Sequence, residues 1–157
     1  MELMRFAEDL REFLRSLGRN EVEYLLIGGY AVSLHGFPRT TGDLDLWIRP
    51  TAANIERVLG ALRQFGFQPG ESERKALGTP GSILRLGYPP VRIELLNAPS
   101  GVEFAACRDR AVTLQIGGVS VPVLSLDDLV ANKRAAGRPK DLIDAMELER
   151  IRDRTAR

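Results

Sequence analysis

The 157-residue chain has a single cysteine, Cys107, and a single histidine, His35. One cysteine makes no intramolecular disulfide and no cysteine zinc site, and one histidine excludes a His-rich metal centre. Cys107 reads as a small buried hydrophobe, with a reactive thiol as the alternative. His35 reads as a structural residue at a helix end, with a phosphate or substrate contact as the alternative. Net charge is almost absent: 22 Lys and Arg stand against 21 Asp and Glu, leaving +1. No molecule-wide basic field draws in nucleic acid, so an RNA or DNA contact needs a local patch. Long apolar runs are missing too. None approaches the ~20 residues that a membrane helix needs. Met1 to Leu10, carrying Glu2, Arg5, Glu8 and Asp9, lacks the apolar core of a secretory signal. These absences predict a cytoplasmic protein with no membrane partner.

What is present suits one globular domain spanning 1–157. Hydrophobic residues make up 44% of the chain, which argues against disorder. A domain of this length buries roughly 68–70% of its unfolded surface and needs no staples. Phe6, Leu10, Phe13, Leu14 and Leu17 recur at helical steps and predict an amphipathic helix, ended by Gly18 and Asn20. Val22 to Ile27 predicts a short buried strand, and Tyr30 to His35 suits a helix. Thr40 to Ile48 alternates acids with apolar residues and predicts a strand, stopped by Arg49-Pro50. Thr51 caps a helix whose stripe is Ile55, Val58, Leu59, Leu62 and Phe65, with Gly66 as its stop.

Gln68 to Gly81 is polar and reads as a loop or irregular edge. Ser82 to Leu86 and Val91 to Leu96 predict strands. Ala111 to Ile116 and Val119 to Leu124 flank Gly117-Gly118, a hairpin signal. Ser125 caps a further helix with Asp128 three residues on, a variant capping box, and that helix ends near Gly137. Pro139 opens a last helix whose core contacts are expected at Leu142, Ile143, Met146 and Leu148. The expected fold is α+β: a mixed sheet flanked by helices, with a short helical C-terminal part from about 124 to 157.

The chemistry concentrates in Gly28-Gly29 followed by Asp43-Leu44-Asp45. Side chains alternate along a strand, so the two aspartates share a face with Cα atoms roughly 6.5 Å apart. Leu44 and Leu46 then point into the core. Two carboxylates this close repel each other and raise one another's pKa. A divalent cation removes that conflict, and hard oxygen ligands suit Mg²⁺ or Mn²⁺. In Val91 to Leu96, Glu94 alternates with Ile93 and Leu95 and so faces the acid side. It is placed to ligate a second metal or to take a proton from an acceptor hydroxyl. Amides of a Gly-Gly turn that opens a helix can cradle phosphate. Ser33, one turn into that helix, with Arg39 and Thr41 ahead of the acidic strand, completes the expected nucleotide contacts.

At these residues the sequence resembles a known superfamily. Leu26-Ile27-Gly28-Gly29, then Arg39-Thr40-Thr41-Gly42-Asp43-Leu44-Asp45-Leu46, looks like the signature of nucleotidyltransferases related to DNA polymerase beta. Within it the chain looks most like the AbiEii-type toxin nucleotidyltransferases and their short relatives. Leu124 to Leu129, Lys133 and Gly137-Arg138-Pro139-Lys140-Asp141 with Asp144 are similar to their second block. The resemblance implies that Asp43 and Asp45 bind Mg²⁺, that Glu94 is the third acid, and that Gly28 and Gly29 hold a nucleoside triphosphate. It implies that Lys133 contacts phosphate, and that Asp141 or Asp144 orients Lys133 or the acceptor. Glu94 stands where many members have Asp, and Gly29 where many have Ser.

The implied activity is transfer of a nucleotidyl group to a hydroxyl, with toxin–antitoxin or phage-defence biology. The acceptor is left open between tRNA, a protein and a small molecule, and a cognate antitoxin is an implied partner. Lys133, Arg134, Arg138 and Lys140 form the local basic patch that an RNA would need. Two alternatives use the same fold: a non-catalytic nucleotide- or partner-binding module, and an antitoxin subunit.

Overall fold

The computed structural model describes residues 2–38, 42–88 and 91–156. The chain runs α1 (Glu2–Arg19), β1 (Tyr24–Ile27), α2 (Gly28–Leu34), β2 (Asp43–Ile48), α3 (Ala52–Phe65), α4 (Glu71–Gly78), β3 (Ile83–Tyr88), β4 (Val91–Leu96), α5 (Phe104–Arg110), β5 (Val112–Ile116), β6 (Val119–Val123), α6 (Leu126–Ala136) and α7 (Pro139–Thr155). Among the described residues the strands form a mixed six-stranded sheet in the order β3-β4-β2-β1-β6-β5. Pairs β2/β4 and β1/β6 are parallel; β1/β2, β3/β4 and β5/β6 are antiparallel. The α+β architecture expected from the sequence is the one found.

One face of the sheet carries the main core. Leu44, Leu46, Ile93 and Leu95 are buried, and Phe13, Leu14 and Leu17 of α1 join them with Val58, Leu59 and Leu62 of α3. Full burial of each such side chain contributes about 1.5–3 kcal/mol. Thr51 caps α3 by accepting from the Asn54 amide, and Gly66 ends the helix in the left-handed region at φ 110. The other face of β2 holds Asp43, Asp45 and Trp47. Trp47 is covered: its ring meets Phe104 edge-on at 5.2 Å, and its indole N–H donates to the Asn97 carbonyl at 3.3 Å. The acids beyond it stay open to the cleft.

Two expectations need correction, and one helix, α5, was not anticipated. Gln68 to Gly81 is not all loop, because α4 lies inside it. This helix is polar almost all round, with Leu77 as its buried anchor, so no apolar stripe announces it. Its start is set by the Glu73 carboxylate, which accepts from the Gly70 amide at 2.9 Å. Helix α5 has seven residues, too short to show a period, and depends on Glu103 capping the Ala105 and Ala106 amides. In α7, Leu142, Ile143 and Met146 are exposed. The inward positions are Asp141, Asp144, Ala145 and Leu148. Paired charges occupy that face where an apolar stripe was expected.

Other expectations hold. Ser125 caps α6 through the Asp128 amide, while the Asp128 carboxylate turns instead to Arg110 at 2.9 Å. Gly117 and Gly118, at φ 57 and 83, make the turn of the β5/β6 hairpin. His35 is structural, its Nε2 lying 2.7 Å from the Leu124 carbonyl oxygen. Cys107 is a free, buried thiol. Among the described residues, no helix is long and apolar enough to cross a membrane.

Candidate active site

Strand pairing brings the acids together. In the parallel β2/β4 ladder Asp45 lies opposite Glu94 and Asp43 opposite Arg92. On the other side of β2, Asp45 pairs with Ile27, the residue before the Gly28 turn. Gly28 sits at φ 73, and a Cβ added there would come within 2.1 Å of Asp45 Oδ2. Only glycine allows this approach with that backbone. The three carboxylates line a cleft of about 540 Å³. Its far wall includes Asn132, Lys133, Arg138, Lys140 and Asp141 from the two C-terminal helices and their junction.

The acids are unequal. Asp45 is pushed up to about 7 by burial, then by the charge of Glu94, a hydrogen bond shared with it, and the charge of Asp43; Lys133 opposes the shift. Its Oδ1 is buried without a hydrogen-bond partner. Arg92 grips Asp43 at two points, Nε to Oδ1 at 3.0 Å and Nη2 to Oδ2 at 3.1 Å. Arg85 donates to Glu94 Oε1 at 3.0 Å. Among the described residues, no three His, Cys, Asp or Glu side chains converge into a metal-holding group. The oxygen-only set, the adjoining Asp45 and Glu94, and the unsatisfied Asp45 oxygen nonetheless fit a hard divalent cation.

The opposite wall is a buried ion network. Lys133 Nζ lies 3.1 Å from Asp144 Oδ2 and 3.4 Å from Asp141 Oδ1, with both acids almost fully buried. Arg138 reaches Asp141 Oδ2 at 2.7 Å. Burial alone would raise Asp141, but hydrogen bonds from Arg138 and the Lys133 charge hold it below the usual carboxylate range. Three of the four charges, Lys133, Asp141 and Asp144, are buried, and the exposed Arg138 balances the second carboxylate from the surface.

Of the residues singled out from the sequence, Gly28, Asp43, Asp45, Glu94, Lys133 and Asp141 line the cleft. Asp144 stands behind Lys133 rather than in the lining. Gly29 is buried in the first turn of α2. Ser33 is not among the lining residues, and its hydroxyl is buried without a hydrogen-bond partner. Arg39 and Thr41 lie outside the described residues. The sequence reading missed Arg85, Arg92 and Asn132. For the two arginines the signal was alternation, since each sits on the acid face of its strand, but their partners depend on which strands pair.

The sequence model of the family described as "Nucleotidyl transferase of unknown function (DUF2204)" matches residues 6–156. The chain belongs to that family. No curated protein matches it in sequence. The fold of these nucleotidyl transferases recurs in solved structures. The antibiotic-resistance factor ANT(2'')-Ia superposes with a TM-score of 0.58 at 13% identity, over 96% of this chain and 83% of its own. The Thermotoga maritima protein TM1012, named as a nucleotidyltransferase, gives 0.55 at 16% identity, over 98% and 94%. An antigenic nucleotidyltransferase-like protein from Paracoccidioides brasiliensis gives 0.52 at 18%, over 86% and 71%. At these identities the likeness speaks for the fold alone.

Proposed function

We propose that this member of the family is a divalent-metal-dependent enzyme that moves a nucleoside monophosphate from a nucleoside triphosphate to a hydroxyl. The observation that carries the reading is the register of Asp45 against Glu94 on the cleft floor, directly under Gly28. Asp43, Asp45 and Glu94 would hold Mg²⁺ or Mn²⁺, which when bound would offset their repulsion and the charge of the reacting phosphate. In the transfer, the acceptor oxygen bonds to the α-phosphorus. The bond from that phosphorus to the oxygen bridging to the β-phosphate breaks, and pyrophosphate leaves with the electron pair. The hydroxyl proton passes to the Glu94 carboxylate. Lys133 and Arg138 meet phosphate charge from the far wall, and Asp141 and Asp144 hold Lys133 in place. Gly28 and Gly29 supply amides at the opening of α2.

Resemblance to the AbiEii-type toxins supports a toxin–antitoxin or phage-defence role, with a cognate antitoxin as partner. The exposed Arg138 and Lys140 in the cleft lining suit an acceptor rich in phosphate, such as tRNA; a protein and a small molecule are the other acceptor classes. A second reading rests on the arginines: Arg92 and Arg85 neutralise Asp43 and Glu94, which also suits a binding module without turnover.

The test is incubation with Mg²⁺, each labelled nucleoside triphosphate, total tRNA and cell lysate, beside the Asp43→Asn/Asp45→Asn double variant. Label transferred by the wild type alone is the expected result, and its size identifies the acceptor class. Nucleotide binding without transfer selects the second reading.

A further inference from the structure

Past the carboxylates the cleft floor turns apolar. Ile83 of β3 pairs directly with Leu96 of β4, on the face that carries Arg85 and Glu94. This pair lies one side-chain repeat, about 6.6 Å, beyond the acid. Pro99 extends the surface and Ala136 of α6 adds to the lining. Three polar residues border the stretch, Ser82, Ser100 and Asn132, and Asn132 alone brings a side-chain amide. Asn132 is 8% exposed and lines the cleft. Its Nδ2 donates to the Ser100 carbonyl at 2.9 Å. A carbonyl can only accept, so this bond fixes which end of the amide is nitrogen. Among the described residues the amide makes no other hydrogen bond. One N–H and the carbonyl oxygen stay uncommitted, and the oxygen is open to the cleft rather than sealed in the interior.

We infer that Asn132 is the residue that reads the nucleobase of the triphosphate. The base lies against Ile83, Leu96 and Pro99, and its edge meets the Asn132 carbonyl oxygen and remaining N–H. The inference rests on the nucleotidyl-transfer reading and extends it by naming what sets nucleotide preference. An amide offers one acceptor and one donor, so it matches a base edge that offers one of each. A carboxylate offers two acceptors, and the two adjacent donors of the guanine edge, its ring N–H and exocyclic amine, are what it matches best. A site that must hydrogen-bond its ligand discriminates strongly against one that leaves its groups unpaired.

The experiment measures binding of ATP, CTP, GTP, UTP and inorganic tripolyphosphate to the full chain with Mg²⁺, for wild type, Asn132→Ala, Asn132→Asp and Ile83→Ser. Preferences are read as ratios within each protein, which a general loss of folded material leaves unaltered. The wild type is expected to separate its best from its worst nucleotide by at least ten-fold, and Asn132→Ala to bring all four within about three-fold. Asn132→Asp is expected to raise GTP relative to the other three by at least ten-fold. Ile83→Ser, at a half-exposed position, is expected to weaken nucleotides at least five-fold relative to tripolyphosphate. An unaltered order and spread in both Asn132 variants, or four equal affinities in the wild type, overturns the inference and leaves nucleotidyl transfer standing. Failure of the wild type to bind any triphosphate overturns both.

Discussion

Asp45 lies beside Glu94 across a parallel strand pair, and its burial, with the charge of Glu94 next, pushes its carboxyl up to about 7. The folded chain holds the carboxyl proton more tightly than the unfolded chain, whose aspartate releases it near 3.8. The penalty is therefore absent in acid, grows as pH rises from about 4 to 7, and is complete above. At pH 8 it amounts to on the order of 2–4 kcal/mol against the metal-free fold. Asp45→Asn should raise the melting temperature of metal-free protein at pH 8, leave it nearly unaltered at pH 4, and abolish transfer. Added Mg²⁺ should stabilise the wild type and not the variant. Thermal melts at the two pH values, with and without Mg²⁺, check this; a variant less stable than wild type at pH 8 contradicts it.

Gly28 is the backbone that roofs this acid. Gly28→Ala puts a methyl carbon on Asp45 Oδ2 and strains a backbone held at φ 73. The fold should lose about 1–2 kcal/mol. Transfer should fall at least hundred-fold, because the carboxylate must leave the face it shares with Glu94. Measured kcat/KM beside the melting curve separates the two effects. A variant that keeps its activity would show that Asp45 does not act from this position.

Asp144 is fully buried and touches Lys133 from behind the cleft wall. Asp144→Asn leaves two cations facing Asp141 alone and should cost about 3 kcal/mol. Lys133→Met should cost less in the Asp144→Asn background than in the wild type, with a coupling of at least 1 kcal/mol in a double-mutant cycle by chemical denaturation. Additive effects would mean that the pair does not act as a unit.

Much of this molecule was legible in one dimension. The period of Phe13, Leu14 and Leu17 marked α1, the Gly-Gly step marked the hairpin, and Thr51 and Ser125 marked helix starts, because each signal is local. The acid face was legible for the same reason: alternation alone puts Asp43 and Asp45 on one side of β2. Helix α4 was hidden because its stability rests on one buried leucine and a carboxylate cap. The inward face of α7 was misread because its buried aspartates are stabilised by Lys133 on another helix, which no pattern within α7 records.

The sequence by itself determined the elements and the chemical inventory: three acids on strands, a glycine pair before a short helix, and basic residues near the C-terminal helices. Only the tertiary structure decided the partners. That Glu94 rather than Arg92 stands beside Asp45, that Arg85 and Arg92 hold the outer acids, and that Asn132 meets the carbonyl of Ser100 are matters of strand register and helix packing. Register follows from burying Leu44, Leu46, Ile93 and Leu95 together against α1 and α3. That burial couples residues some fifty positions apart in the chain, so its result appears only once the core has closed.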